Sequence, residues 1–260
     1  MAVKAGAYLP IHGEFGDVRQ LVAMCEEAEQ SGWDGFFIWD LVYSGVEPLV
    51  DPWVVLSACA ARTDHITLGA LVTPVARRRP MKLARELLSL DQLSGGRVVA
   101  GVGLGLGYEF RILGEPSSAE ARKRGFEDNT ILLESLLHDN LGPQPVNGRI
   151  PLWLGMFEDR VHGPQRATTV PISGIIPMRR HFDIAKLLTA AELRAIVQTV
   201  ADAGVRVDDV ATFARRDNPE CQPREDYIDA GMTWWLEVFH EDADSLETVK
   251  KTIRSGPPRW

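Results

Sequence analysis

Along this chain, short runs of branched or aromatic apolar residues alternate with longer stretches in which apolar residues recur every three or four positions. The first pattern predicts buried strands and the second amphipathic helices. "VKAGAYLP" opens the series as a strand. Asp17, a good N-cap residue, then begins a helix that runs to Ser31 and is closed by Gly32. "GFFIWDLV" is the second strand. Asp51 as cap and Pro52 at the first helical position mark a second helix, which ends near Arg62. "ITLGALVTP" and "RVVAGVG" read as strands on either side of the helix "RPMKLARELLSLDQLSGG", which its glycines terminate. An irregular segment leads to the helix "EARKRGFEDNTILLESLLH" and the strand "PLWLGM". "RVHGPQRATTVPISGIIPM" predicts a short helix and a sixth strand ending near Met178. After it come the helix "LTAAELRAIVQTVADAG", the strand "DVATFAR", the short helix "PREDYIDAG", the strand "MTWWLEVF" and the helix "DSLETVKKTIRSG".

Eight strands and eight helices in strict alternation predict a (β/α)8 barrel, an α/β TIM barrel, with residues 1–260 as a single domain. No linker, low-complexity tract or internal repeat divides the chain. In "WW" the adjacent side chains must point to opposite faces of their strand, so at most one of Trp234 and Trp235 faces the barrel interior.

Composition narrows the function. The 260 residues are 45% hydrophobic and 25% charged, and no apolar run nears the roughly 18 residues of a membrane span. The N-terminus reads as a strand rather than a signal-peptide core, so a cytoplasmic location is expected. A formal charge of -8 argues against a nucleic-acid partner. The basic runs Arg77 to Arg79 and Arg122 to Arg124 are short, and the second reads as a solvated helix flank. Cys25, Cys59 and Cys221 are far apart and read as reduced thiols. With no HxH or HExxH, no metal site is expected.

In such a barrel, chemistry collects where strands end and helices begin. That rule selects Tyr8, His12, Trp39, Asp40, Thr73, the segment Gly103 to Glu109, Met156 and Glu237. The segment "RVVAGVGLGLGYEF" has glycine at every second position from Gly101 to Gly107, yet it fails the GxGxxG and P-loop patterns. It reads either as a strand end where a ligand can approach the backbone N–H groups or as a flexible turn.

"WDGFFIWD", "LVTP", "LARE", "LDQLSGGR", "GVGLG", "IPLWLGM" and "GMTWWLEVF", in this order, resemble the bacterial luciferase-like family of flavin- and deazaflavin-dependent oxidoreductases and monooxygenases. The resemblance covers most of the chain and is densest from Trp33 to Gly105. It implies FMN or the deazaflavin coenzyme F420 as cofactor, a small organic substrate and a homodimer. Gly101, Gly103 and Gly105 would cup the cofactor. Ala70 and Leu71 would buckle against its ring through a non-proline cis peptide between them, and Trp39 would be a further cofactor contact. Asp40 and Glu109 match acidic positions near the cofactor and are the catalytic candidates.

Three departures bear on this. Relatives carry "WDH" where this chain has Leu41, so proton chemistry has to come from another group, with His12 and Tyr43 as candidates by location. The insertion between strands four and five is shortened. The sixth unit differs too, leaving Arg166 and Gly174 as the positions that match phosphate contacts. These changes motivate an alternative, a cofactor-free lyase, isomerase or cyclase using Asp40, Glu109 and Glu237 as acid and base.

Overall fold

Nine parallel strand segments form one sheet in the computed structural model, which describes residues 3–43, 45, 47–139, 142–157, 170–179 and 186–258. The segments are β1 (Lys4–Leu9), β2 (Gly35–Ile38), β3 (Thr67–Ala70), β4 (Thr73–Pro74), β5 (Ala100–Gly103), β6 (Leu152–Phe157), β7 (Gly174–Met178), β8 (Asp209–Ala214) and β9 (Trp234–Val238). Their order is β3-β2-β1-β9-β8-β7-β6-β5-β4. β3 and β4 belong to one stave that breaks at Leu71 and Val72, and both halves meet the next stave. Leu68 bridges Val98, while Thr73 and Pro74 pair with Val102 and Gly103. The ring therefore closes, and nine segments make the eight expected staves of a TIM barrel.

Around the sheet lie α1 (Val18–Gln30), α2 (Pro52–Ala60), α3 (Pro80–Ser94), α4 (Gly107–Ile112), α5 (Ala119–Leu137), α6 (Ala190–Asp202), α7 (Arg224–Asp229) and α8 (Leu246–Arg254). The capping signals act as read. Asp17 Oδ1 accepts from the N–H groups of Arg19 and Gln20, and Asp51 Oδ1 from those of Trp53 and Val54. Gly95 ends α3 in the left-handed conformation. Two expectations change. The glycine-rich segment read as irregular winds into α4, and the short helix expected before the sixth strand falls within residues 158–169, outside the described residues. Between α5 and β6 the described residues form no helix or strand, in keeping with the shortened insertion.

Phe37, Trp153 and Trp234 fill the barrel interior, with ring centroids 5.4–5.8 Å apart. Trp235 faces outward and meets Tyr227 edge-on. The alternation of the strand thus sends one tryptophan of the pair inside and the other under the helices.

Glu29, near the end of α1, ties that helix to the turn before β3. Its carboxylate accepts from the N–H groups of Asp64 (3.0 Å), His65 (2.6 Å) and Ile66 (2.9 Å). Burial pushes this carboxyl up, but the three N–H donors and Arg97 outweigh it and hold it below the usual glutamate range. A carboxylate with a lowered folded pKa stabilises above its unfolded pKa and loses that contribution as the pH falls through the folded value. Glu29→Ala is therefore expected to cost about 1.5–3 kcal/mol at neutral pH. Urea unfolding should show the difference narrowing in acid, and a gap that is equal at both pH values would contradict the assignment.

Candidate active site

A cavity of about 700 Å³ opens at the C-terminal ends of the strands. Tyr8, Leu71, Val72, Met156, Met178 and Phe213 give it apolar walls, and Trp39 and Leu41 border it from the second stave. Its polar lining comes from His12, Asp40, Glu47, Glu109, His240 and Glu241.

The broken third stave shapes one wall. The Leu71 N–H still donates to Ile38 O at 2.9 Å, so the β2 ladder reaches one residue beyond β3 before the backbone turns. The cis peptide accordingly lies at Leu71–Val72, and not at Ala70–Leu71 as the motif comparison placed it. Tyr8 Oη donates to Leu71 O at 2.6 Å and holds the turn. Burial pushes the Tyr8 hydroxyl far above its ordinary pKa, so it stays a donor in this bond.

The alternate glycines have a reason in packing. A Cβ on Gly101 would come within 2.5 Å of Ala70 O, one on Gly103 within 2.5 Å of Val72 Cγ2, and one on Gly105 within 2.6 Å of Pro74 Cβ. Gly105 also has φ +66°, a conformation that favours glycine. The fourth stave lies so close to the buckled third that no side chain fits between them. Gly103 and Gly105 border the cavity, whereas Gly101 and Ala70 lie behind its wall. Gly174 is behind it as well, where a Cβ would meet the Trp153 ring.

Asp40 is buried at the cavity edge, with Oδ1 accepting from Arg78 Nη2 at 2.6 Å. The Thr73 hydroxyl also lies against this carboxylate, although among the described residues Oδ2 and the Nε of Arg78 make no hydrogen bond of ordinary length and angle. Burial raises the Asp40 carboxyl above the usual aspartate range, and Arg78 offsets this only in part. Glu109 stands differently. Oε1 accepts from the Val42 N–H at 3.2 Å and Oε2 from Arg77 Nη1 at 3.1 Å, so both oxygens are committed to protein. Arg77 also reaches Glu115 and lies over the Phe110 ring. Glu237 lies outside the cavity, where it accepts from Arg216 N–H and Trp235 Nε1; burial raises its carboxyl against the pull of Arg216.

His12 reaches the cavity and Tyr43 does not line it. Arg166 is outside the described residues. Sequence reasoning did not single out Arg78, Glu47, His240 or Glu241. His240 could have been found, two residues past the end of β9 at the barrel mouth, whereas Arg78 stands four residues past the end of β4. Glu47 carries no local signal. The basic run at Arg122 is not simply a solvated flank, since Arg122 Nη1 donates to Gly105 O at 3.0 Å.

The cavity lies at the C-terminal mouth of a closed eight-stave barrel, with apolar walls and a few buried charged groups, where barrels of this kind carry their sites. Residues 4–177 match the model of the luciferase-like monooxygenase family. The chain belongs to that family. The limonene 1,2-monooxygenase of Rhodococcus erythropolis is 32% identical over 266 residues, covering 98% of this chain and 64% of that protein. The chain spans less than two thirds of the length of the curated relatives it matches first.

Solved structures at lower identity share the fold. The oxygenating constituent of the 3,6-diketocamphane monooxygenase of Pseudomonas putida, in complex with FMN, superposes with a TM-score of 0.73 at 12% identity, covering 98% of this chain and 97% of its own. The coenzyme F420-dependent tetrahydromethanopterin reductase of Methanopyrus kandleri gives 0.70 at 16% identity, with 98% and 99% covered.

Proposed function

We propose that this protein is an oxidoreductase that binds FMN or coenzyme F420 in the mouth cavity and acts there on a small apolar molecule. The cavity itself carries the reading. Its volume of about 700 Å³ lies within the range of cofactor sites, and its walls are apolar on the side of the Leu71–Val72 turn. The residues present fit such a cofactor. A flat ring needs apolar contact, which Leu71, Val72 and Phe213 offer, and its polar edge needs a directed group, which the Asp40 carboxylate at the cavity edge can provide. A bound flavin or deazaflavin would supply the hydride or electron chemistry that side chains lack.

The chain's own residues do the rest. Tyr8 holds the turned backbone in place, and Asp40, anchored by Arg78, orients the polar edge of the ligand. Trp39 and Phe213 keep water from the reacting centre. Glu109, with both oxygens committed, positions Arg77 and the backbone at Val42. Of the three carboxylates that a cofactor-free lyase would use, only Asp40 borders the cavity with an unpartnered oxygen, so the geometry favours the cofactor-dependent reading.

Titration of the cofactor-free protein with FMN and, separately, with F420 tests this by absorbance and fluorescence. Saturable binding of one of them at about micromolar Kd is the expected result. Asp40→Asn should weaken that binding roughly 10–100-fold, in line with the loss of a hydrogen bond to a charged group. Absence of binding at several hundred micromolar for both compounds would overturn the reading.

A further inference from the structure

Proton transfer in this cavity has few candidates. The Tyr8 hydroxyl is committed to Leu71 O, Glu109 to Val42 and Arg77, and Asp40, with Oδ1 bonded to Arg78, has its remaining oxygen assigned above to the polar edge of the ligand. Leu41, on the same wall, has no proton to move.

His12 stands in a different setting. Its side chain is only 8% exposed and sits between two carboxylates from different loops, with Nδ1 3.0 Å from Glu47 Oε2 and Nε2 3.3 Å from Glu241 Oε1. All three residues line the cavity. The backbone fixes two of them relative to each other. His12 bridges Leu49, Gly13 N–H donates to Pro48 O, and Val50 N–H donates to Ile11 O, so the segment carrying Glu47 is pinned alongside His12. The Trp39 ring lies between the imidazoles of His12 and His240, at 5.7 and 5.5 Å.

We propose that Glu47, His12 and Glu241 form the proton-exchanging triad of the cavity, in which Glu47 positions His12, His12 gives and takes the proton, and Glu241 passes it inward. The inference rests on the reading that the reaction takes place in this cavity. Both ring nitrogens face a carboxylate, and the shorter contact, Nδ1 to Glu47 at 3.0 Å against Nε2 to Glu241 at 3.3 Å, holds its proton the more firmly and leaves Nε2 as the one that exchanges. Glu241 then faces Nε2 with Oε1, while its Oε2 is buried without a hydrogen-bond partner among the described residues. His240 Nδ1 accepts from the Asp242 N–H and stands 3.6 Å from that oxygen, beyond hydrogen-bond reach. The Asp242 carboxylate lies within 4.8 Å of Glu241, and Tyr108, from α4, also stands in its field. Burial, and then Glu109, push its hydroxyl up, so it remains protonated and does not compete as a base.

In the donating direction the Nε2–H bond breaks, its electron pair stays on the ring, and the proton bonds to Glu241. From that carboxyl it goes to the negative charge that develops on an oxygen of the bound molecule. Glu241, 23% exposed, takes a proton from solvent and returns it to Nε2. A proton removed from the bound molecule follows the same route outward.

Two measurements test the triad. In the cofactor-free protein, ¹⁵N NMR of the imidazoles should show the neutral His12 ring carrying its proton on Nδ1, and this preference lost in Glu47→Leu. A proton fixed on Nε2, or a tautomer indifferent to Glu47→Leu, overturns the proposal even if neither cofactor binds, which separates its failure from that of the functional reading. In the loaded enzyme, His12→Gln should lower turnover about 100-fold and remove the imidazole limb of the pH–rate profile, with cofactor Kd changed less than about twofold. Added imidazole should restore part of the turnover of His12→Gly. Unchanged turnover and an unchanged pH profile in His12→Gln would overturn it as well.

Discussion

Glu109→Ala is expected to lower the folding stability by about 3–5 kcal/mol, the cost of leaving one member of a buried ion pair without its partner. The Arg77 and Glu109 side chains are 3% and 1% exposed, so neither charge has water to fall back on. Removal of the carboxylate strands the Arg77 guanidinium and also deprives the Val42 N–H of its acceptor. Arg77 would keep its bond to Glu115, which is a third exposed and compensates only in part. For a chain of this size the loss corresponds to a fall in Tm of roughly 10 °C. Glu109→Gln should recover only the Val42 contact and remain close to the alanine variant, whereas Glu115→Ala should cost below about 1 kcal/mol. Thermal unfolding of the three variants gives the comparison. A Glu109→Ala protein within 1 kcal/mol of the original would mean that Arg77 finds a second anion on its own, and the positioning role of Glu109 would fall with it. Leu41, next to Val42, borders the cavity, so the same variant should also bind cofactor more weakly than its stability alone predicts.

The second large effect is expected at Gly103. A methyl group there would lie 2.5 Å from Val72 Cγ2, and Val72 is part of the cavity wall. Gly103→Ala must push Val72 toward the ligand, at about 1–3 kcal/mol of overpacking. Cofactor affinity should drop about tenfold or more through this displacement. The cause can be isolated, since Val72→Ala removes the atom that collides. In the double variant, stability should recover most of the loss, and the coupling between the two positions should exceed about 0.5 kcal/mol. Additive losses would show that the glycine is needed for something other than the close approach of the two staves. Gly105→Ala should have no such rescue, because its neighbour is the rigid Pro74 ring and its own φ is +66°.

These two sites differ in how visible they were in the amino-acid order. The alternate glycines stood out in the sequence, and their use was open between a ligand cradle and a flexible turn. Their observed neighbours lie on another stave some thirty residues away, at Ala70, Val72 and Pro74. No local pattern encodes that approach. Glu109 was noticed for its place after the fourth strand, and its partners Arg77 and Val42 come from the third and second strand ends.

What the sequence determined by itself was everything set by neighbours along the chain. The strand and helix periodicities follow from side-chain burial on one face or two, and they set the eight-stave count. The caps Asp17 and Asp51 and the stop at Gly95 satisfy helix ends locally, so they could be read one turn at a time. The opposite facing of Trp234 and Trp235 follows from the pleat alone. Only the tertiary structure decided where the third stave breaks, which carboxylate keeps a free oxygen, and that His12, Glu47 and Glu241 meet from three separate loops. Those outcomes depend on barrel closure, which brings the ends of distant strands to one mouth. There a side chain's partner, burial and charge are set by residues that sequence proximity cannot name.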